Sequence, residues 1–203
     1  MKKALTIILI LTFGLTLFFC SGKKGGDGSQ AAGEDIYYEL GQKVTDFTLK
    51  DIYDTEFDLD ATLAREDVNG VVFIFISKNC HTSLACDDRY VEYADEFLSD
   101  GILLVGINPN SDETIEEIKA HAEEQNFTFP VLKDWNNVMA DRFDAMVTPE
   151  VYFIDKEGIL IYHGRIDDSH DYPTRVQEKT LSIVVSEYLA GQELSYTDVR
   201  GPG

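Results

Sequence analysis

Positive charge is scarce relative to negative in this sequence: 17 lysines and arginines stand against 37 aspartates and glutamates, for a formal net charge of −20. A surface of that sign repels nucleic acid and anionic headgroups, which argues against both as partners of the folded part. Cysteine is also scarce, with three in the chain. No CxxC or HxxH spacing occurs among the cysteines and histidines, so nothing in the pattern supports zinc, and neither a metal nor a cofactor is expected. No internal repeat appears. The one long apolar stretch, Ala4 to Phe19, is sixteen residues and is interrupted by Thr6, Thr12, Gly14 and Thr16. As a helix it would reach roughly 24 Å, short of the ~30 Å hydrocarbon core, which suits a secretory leader better than a spanning helix.

The basic start Met1-Lys2-Lys3, the apolar run and Cys20 are followed by SGKKGGDGSQAAG from Ser21 to Gly33, a flexible tether with little apolar content. Leader, cysteine and tether together resemble a bacterial lipoprotein, with Leu17 three residues before a Cys20 that becomes the lipidated N-terminus. Phe18 and Phe19 depart from the small residues that pattern prefers, and an uncleaved membrane anchor is the rival. Both readings put the folded part in the cell envelope, outside the cytoplasm. Removing residues 1–19 takes away two of the 17 basic residues and none of the 37 acidic ones, a net charge of −22. The expected division is a signal peptide over 1–19, a tether over 20–34, a folded domain over 35–191 and an irregular tail over 192–203.

Gly70 to Ser77 reads GVVFIFIS, which suits a central strand buried on both faces. Residues 83–99 follow at helical period, with Leu84, Val91, Ala94 and Leu98 on one face. Phe47–Lys50 and Glu56–Leu59 form a small hairpin through Tyr53 and Asp54. Gly101–Asn108 is a second apolar strand, and Ser111 is a candidate N-cap for a helix through Gln125 whose acidic residues, Asp112, Glu113, Glu116 and Glu117, lie on its surface. Phe127–Leu132 is extended, Asn136–Phe143 is a short helix, and Glu150–Asp155 with Ile159–Arg165 makes a hairpin around Gly158. A last helix spans 174–190 and stops at Gly191. Alternating strands and helices closed by a hairpin predict an α/β mixed sheet flanked by helices, with an N-terminal β-hairpin: the order of a thioredoxin fold.

Cys80 sits at the strand-to-helix turn, where unpaired helix amides favour thiolate over thiol. Gly41, Val44, Asp46 to Leu49, Asn79-Cys80, Thr148 to Val151 and Gly164 to Asp168 resemble the extracytoplasmic redoxins, thioredoxin-like proteins grouped with alkyl hydroperoxide reductase and thiol-specific antioxidant. The resemblance covers roughly residues 40–190. It implies that Cys80 is the nucleophile, and that Thr148 and Pro149 belong to the cis-proline turn that holds a substrate chain.

Ser83 departs from the dithiol members, because it stands where their second active-site cysteine falls and cannot close a disulfide. Cys86 is the candidate resolving thiol. Six residues of helix place it roughly 9 Å along the axis and about 240° around from Cys80, beyond the ~7 Å between α-carbons that a disulfide allows. A bond to Cys80 therefore requires the first helical turns to unwind, and the alternative is a small buried helix residue. His81, as imidazolium, would lower the Cys80 pKa; otherwise it is an exposed turn residue. His121 reads as helix surface, and His163 and His170 flank the Gly164 to Asp168 segment. The peroxidase pattern Pro-x-x-x-Thr-x-x-Cys is incomplete on either cysteine, and Arg89 or Arg165 would be the arginine such a site needs.

Three functions follow as expectations. The first is a redox enzyme of the cell envelope, exchanging thiols and disulfides of exported proteins, or acting on peroxide with Cys86 resolving, through Cys80 and an external thiol reductant. The second is a copper chaperone using Cys80, Cys86 and His81 or His163. The third is a thioredoxin-fold module whose groove docks a partner without catalysis.

Overall fold

The computed structural model describes residues 37–169 and 172–199. The leader, Cys20, the tether and His170 lie outside the described residues. The chain divides between Glu34 and Asp35, and all that follows concerns the second unit. Its elements are β1 (Thr48–Lys50), β2 (Glu56–Asp58), α1 (Leu59–Leu63), β3 (Gly70–Phe75), α2 (His81–Leu84), α3 (Asp87–Leu98), β4 (Ile102–Asn108), α4 (Ile115–Glu124), β5 (Val131–Lys133), α5 (Val138–Phe143), β6 (Glu150–Asp155), β7 (Leu160–Gly164), α6 (Thr180–Leu189) and β8 (Asp198–Val199).

Six strands form one mixed sheet in the order β5-β4-β3-β6-β7-β8. β3 pairs parallel with β4 and antiparallel with β6, while β1 and β2 form a separate antiparallel hairpin. Every residue of β3 is buried because successive side chains enter two different cores. Val72, Ile74 and Ile76 join one, with Tyr90, Tyr93 and Phe97 of α3 and Leu181 and Val184 of α6. Val71, Phe73 and Phe75 join the other, with Phe143 of α5. Strict alternation of the pleat turns one apolar run into the centre of both layers. The β6–β7 hairpin turns at Gly158, whose φ of +83 is open to glycine and strained for other residues.

The structure departs from the sequence expectations at several helix ends and faces. The helix predicted over 83–99 is broken: α2 ends at Leu84, Ala85 caps it, and Cys86 caps α3. Its buried stripe is Cys86, Tyr90, Tyr93, Ala94 and Phe97, whereas Leu84 is 40 % and Leu98 61 % exposed. Both stripes have helical spacing; the aromatic one wins because tyrosine and phenylalanine remove more apolar area from water. Thr114, not Ser111, caps α4, through a capping box with Glu117. Leu59 starts α1 rather than ending a strand. The last helix begins at Thr180, after a 3₁₀ turn over Pro173–Arg175. The tail is not wholly irregular, since β8 adds a parallel edge to β7 at His163 and Gly164. Among the described residues no helix is long and apolar enough to cross a membrane.

Candidate active site at Cys80

Parallel pairing brings the C-terminal ends of β3, β4 and β5 to one side of the sheet. Antiparallel β6 begins there too, because Phe75 pairs with both Ile107 and Glu150. The loop leaving β3 and the loop entering β6 therefore meet. Cys80, half-buried, caps α2 with extended backbone (φ −88, ψ 119), and its Sγ lies 3.2 Å from the carbonyl oxygen of Thr148. The Thr148–Pro149 peptide is cis.

Burial pushes the Cys80 thiol up, but hydrogen bonding with Thr148, with the Ser83 and Thr82 amides and with the Thr82 side chain outweighs it, and the thiol falls below its ordinary value of 9.0. The Thr148 carbonyl accepts from the protonated thiol, whereas the Thr148 and Thr82 side chains and the Ser83 and Thr82 amides favour thiolate. His81 is exposed.

The other sulfur is in a different environment. Cys86 is fully buried, and burial, opposed by Arg89 and aided by Asp167, pushes its thiol up to about 12. Arg89 donates from Nη2 to Cys86 Sγ at 2.9 Å and to the Ala85 carbonyl at 3.2 Å. Its Nη1 donates to Asp167 at 2.5 Å and to the Ser169 carbonyl at 2.7 Å. Arg89 thus ties the α2–α3 junction to the segment after β7. Arg165, the other arginine considered, bonds Glu178 and Thr180. No disulfide joins Cys80 and Cys86.

Ser83 is committed elsewhere. Its Oγ accepts from the Ser77 amide at 3.0 Å and shares a hydrogen bond with Tyr90 at 3.2 Å. The hydroxyl where a second cysteine would stand therefore secures the end of β3.

His163 and His121 are each engaged with a carboxylate. His163 Nε2 lies 2.6 Å from Glu150 Oε1, and its ring stacks on Tyr152. His121, expected on the surface, is partly buried against Asp87 at 3.1 Å. Among the described residues no three His, Cys, Asp or Glu side chains are placed to hold a metal ion, so the copper ligands suggested by the sequence are not assembled.

Two buried glutamates flank the site, and sequence reasoning gave neither a role. Glu113, expected on a helix surface, lies beneath the Cys80 loop. Glu150 accepts the Met146 and Val147 amides at 2.8 and 3.3 Å and so braces the loop that carries Thr148. Its place directly after Thr-Pro was the available signal. Burial pushes the Glu150 carboxyl up, but His163 and the two amides hold it below the ordinary 4.5. A depressed carboxyl contributes stability that is complete above 4.5 and is lost as pH falls from there through the folded value. Urea unfolding between pH 5 and 3 should therefore show stability declining with acid, with a shallower slope in Glu150→Gln; equal slopes would count against this account.

Sheet order, the cysteine at the end of the central strand and the Thr-Pro turn beside it define a thioredoxin-like redoxin. Residues 40–163 match the profile of the AhpC/TSA family, and the chain belongs to that family. It is similar to the thioredoxin-like protein YneN of Bacillus subtilis (strain 168), with 26% identity over 153 residues, covering 72% of this chain and 84% of that protein. Among solved structures it resembles the hypothetical protein SMc02350 of Sinorhizobium meliloti 1021, with a TM-score of 0.73 and 28% identity over 81% of this chain and 92% of the other. It also shares its fold with the exposed lipoprotein thioredoxin Etrx1 of Streptococcus pneumoniae, with a TM-score of 0.51 and 21% identity over 59% of this chain and 87% of the other.

Proposed function

We propose that the protein is an extracytoplasmic thiol–disulfide oxidoreductase that works with one cysteine. The Cys80 thiolate attacks one sulfur of a substrate disulfide, forming a mixed disulfide and releasing the other sulfur as a thiolate. An external thiolate then attacks the mixed disulfide, freeing Cys80 and leaving the substrate sulfur bonded to the incoming thiol. The carrying observation is the contrast between the two sulfurs. Cys80 is half-open with amides turned to it, while Cys86 is buried with its thiol pushed up to about 12.

The lipoprotein-like leader supports a domain tethered at the envelope by Cys20, as does the fold shared with the pneumococcal exposed lipoprotein. Exported proteins with exposed disulfides or thiols are then the substrate class. A peroxidase with Cys86 resolving is less well supported, because its second sulfur is held under Arg89, and Arg165 bonds Thr180 and Glu178.

The rate of Cys80 alkylation by iodoacetamide against pH tests the reading. The expected curve has its midpoint below that of an unperturbed cysteine thiol, accompanied by turnover of a small disulfide with glutathione as reductant. An unshifted midpoint with no exchange activity would overturn the proposal.

A further inference from the structure

Glu113 follows β4 and is 1 % exposed. Its carboxylate collects five hydrogen bonds. Oε1 accepts from Ser77 Oγ at 2.5 Å, the Asn79 amide at 3.2 Å and Asn110 Nδ2 at 3.2 Å. Oε2 accepts from the Lys78 amide at 3.1 Å and Asn108 Nδ2 at 2.6 Å. Ser77 Oγ in turn accepts from the Asn79 and Cys80 amides, both at 3.1 Å. On the far side Lys133, 2 % exposed, donates to Asn108 Oδ1 at 2.9 Å and to the Asn110 carbonyl. A hydrogen-bonded chain thus runs from a buried ammonium on β5, through β4, to the backbone of the reactive cysteine.

Helix capping does not account for this carboxylate, since Thr114 and Glu117 already cap α4 between themselves. A buried carboxylate needs partners to offset its desolvation, and here three of its donors come from the Cys80 loop. We propose that Glu113 is the positioning residue of the Cys80 site, acting through Ser77 to hold the 77–80 turn so that the Thr82 and Ser83 amides face the sulfur. This rests on the reading of Cys80 as the working thiolate.

The sign of the effect separates position from charge. The charges near this cluster are Lys133, which itself feels Glu113, Asp112 and Asp134, and Lys78, whose Nζ lies 3.7 Å from Glu117. A negative charge acting only through space disfavours a nearby thiolate, so its removal would lower the Cys80 midpoint. Loss of a positioning contact loosens the amides and raises it.

The test is the pH profile of Cys80 alkylation in wild type, Glu113→Gln and Ser77→Ala. Both variants should move the midpoint upward, with alkylation at pH 7 slower by about threefold to tenfold. Ser77→Ala keeps the carboxylate, so a shared direction identifies geometry, and it carries the test alone should Glu113→Gln not fold. A lowered wild-type midpoint with unmoved or lowered midpoints in the folded variants overturns the role of Glu113 alone. An unshifted wild-type midpoint overturns it together with the Cys80 reading.

Discussion

Cys80→Ser is expected to lower disulfide exchange by a factor on the order of 10³ or more, to the uncatalysed background, while Cys86→Ser keeps it within about threefold of wild type. The asymmetry follows from where the sulfurs lie. A thiol pushed up to about 12 is almost entirely protonated at neutral pH, and only the thiolate attacks a disulfide. Cys86 also caps α3 and accepts from Arg89, a role that a serine oxygen can take over. Steady-state reduction of a small disulfide with glutathione measures both variants. Equal loss in the two would show that Cys86 takes part in turnover. Mass spectrometry of the oxidised protein would then find a Cys80–Cys86 bond, and the α2–α3 junction would have to open during the reaction.

Arg89→Leu should be the most destabilising of the single changes considered, at about 3–5 kcal/mol, because it strands the Asp167 carboxylate inside the protein. Asp167 is fully buried and Arg89 nearly so, and the same guanidinium also serves the Ser169 and Ala85 carbonyls. For a domain of this size the expected fall in Tm is roughly 10 °C. Replacing Arg89 and Asp167 together with apolar residues should cost less than the sum of the two single losses, since neither charge is then left alone. Thermal unfolding of the three variants gives the answer, and a single-variant loss no larger than that of an exposed pair would refute the account. The pair Lys50–Asp54 is such a reference, at 58% and 81% side-chain exposure, and breaking it should leave the Tm unchanged.

Much of the architecture is legible along the chain. GVVFIFIS at 70–77 reads as a doubly buried strand and forms one over Gly70–Phe75, and the hairpin around Gly158 follows from the turn residues. Cys80 at the strand end and Thr148-Pro149 far downstream are visible as separate motifs, and the fold puts them in contact. Other features were not legible. Two helical stripes of similar spacing competed on α3, and the aromatic one was buried. Glu113 looked like one of several surface acids beside Asp112, Glu116 and Glu117, because nothing in local spacing says which carboxylate meets a ring of donors. The β8 edge strand is two residues long and carries no pattern of its own.

Periodicity, turn residues and residue identity act over a few positions, so they settle strands, the exclusion of a Cys80–Ser83 dithiol pair, and a strongly acidic exterior. Depth and partnership come from contacts distant in sequence: Arg89 with Asp167, Glu113 with Ser77, Glu150 with His163. One sulfur lies where hydrogen bonds from Thr148, Thr82 and Ser83 lower its pKa, and the other where burial raises it. Two cysteines six residues apart are alike as letters, and they differ in chemistry because the sheet brings different neighbours to each.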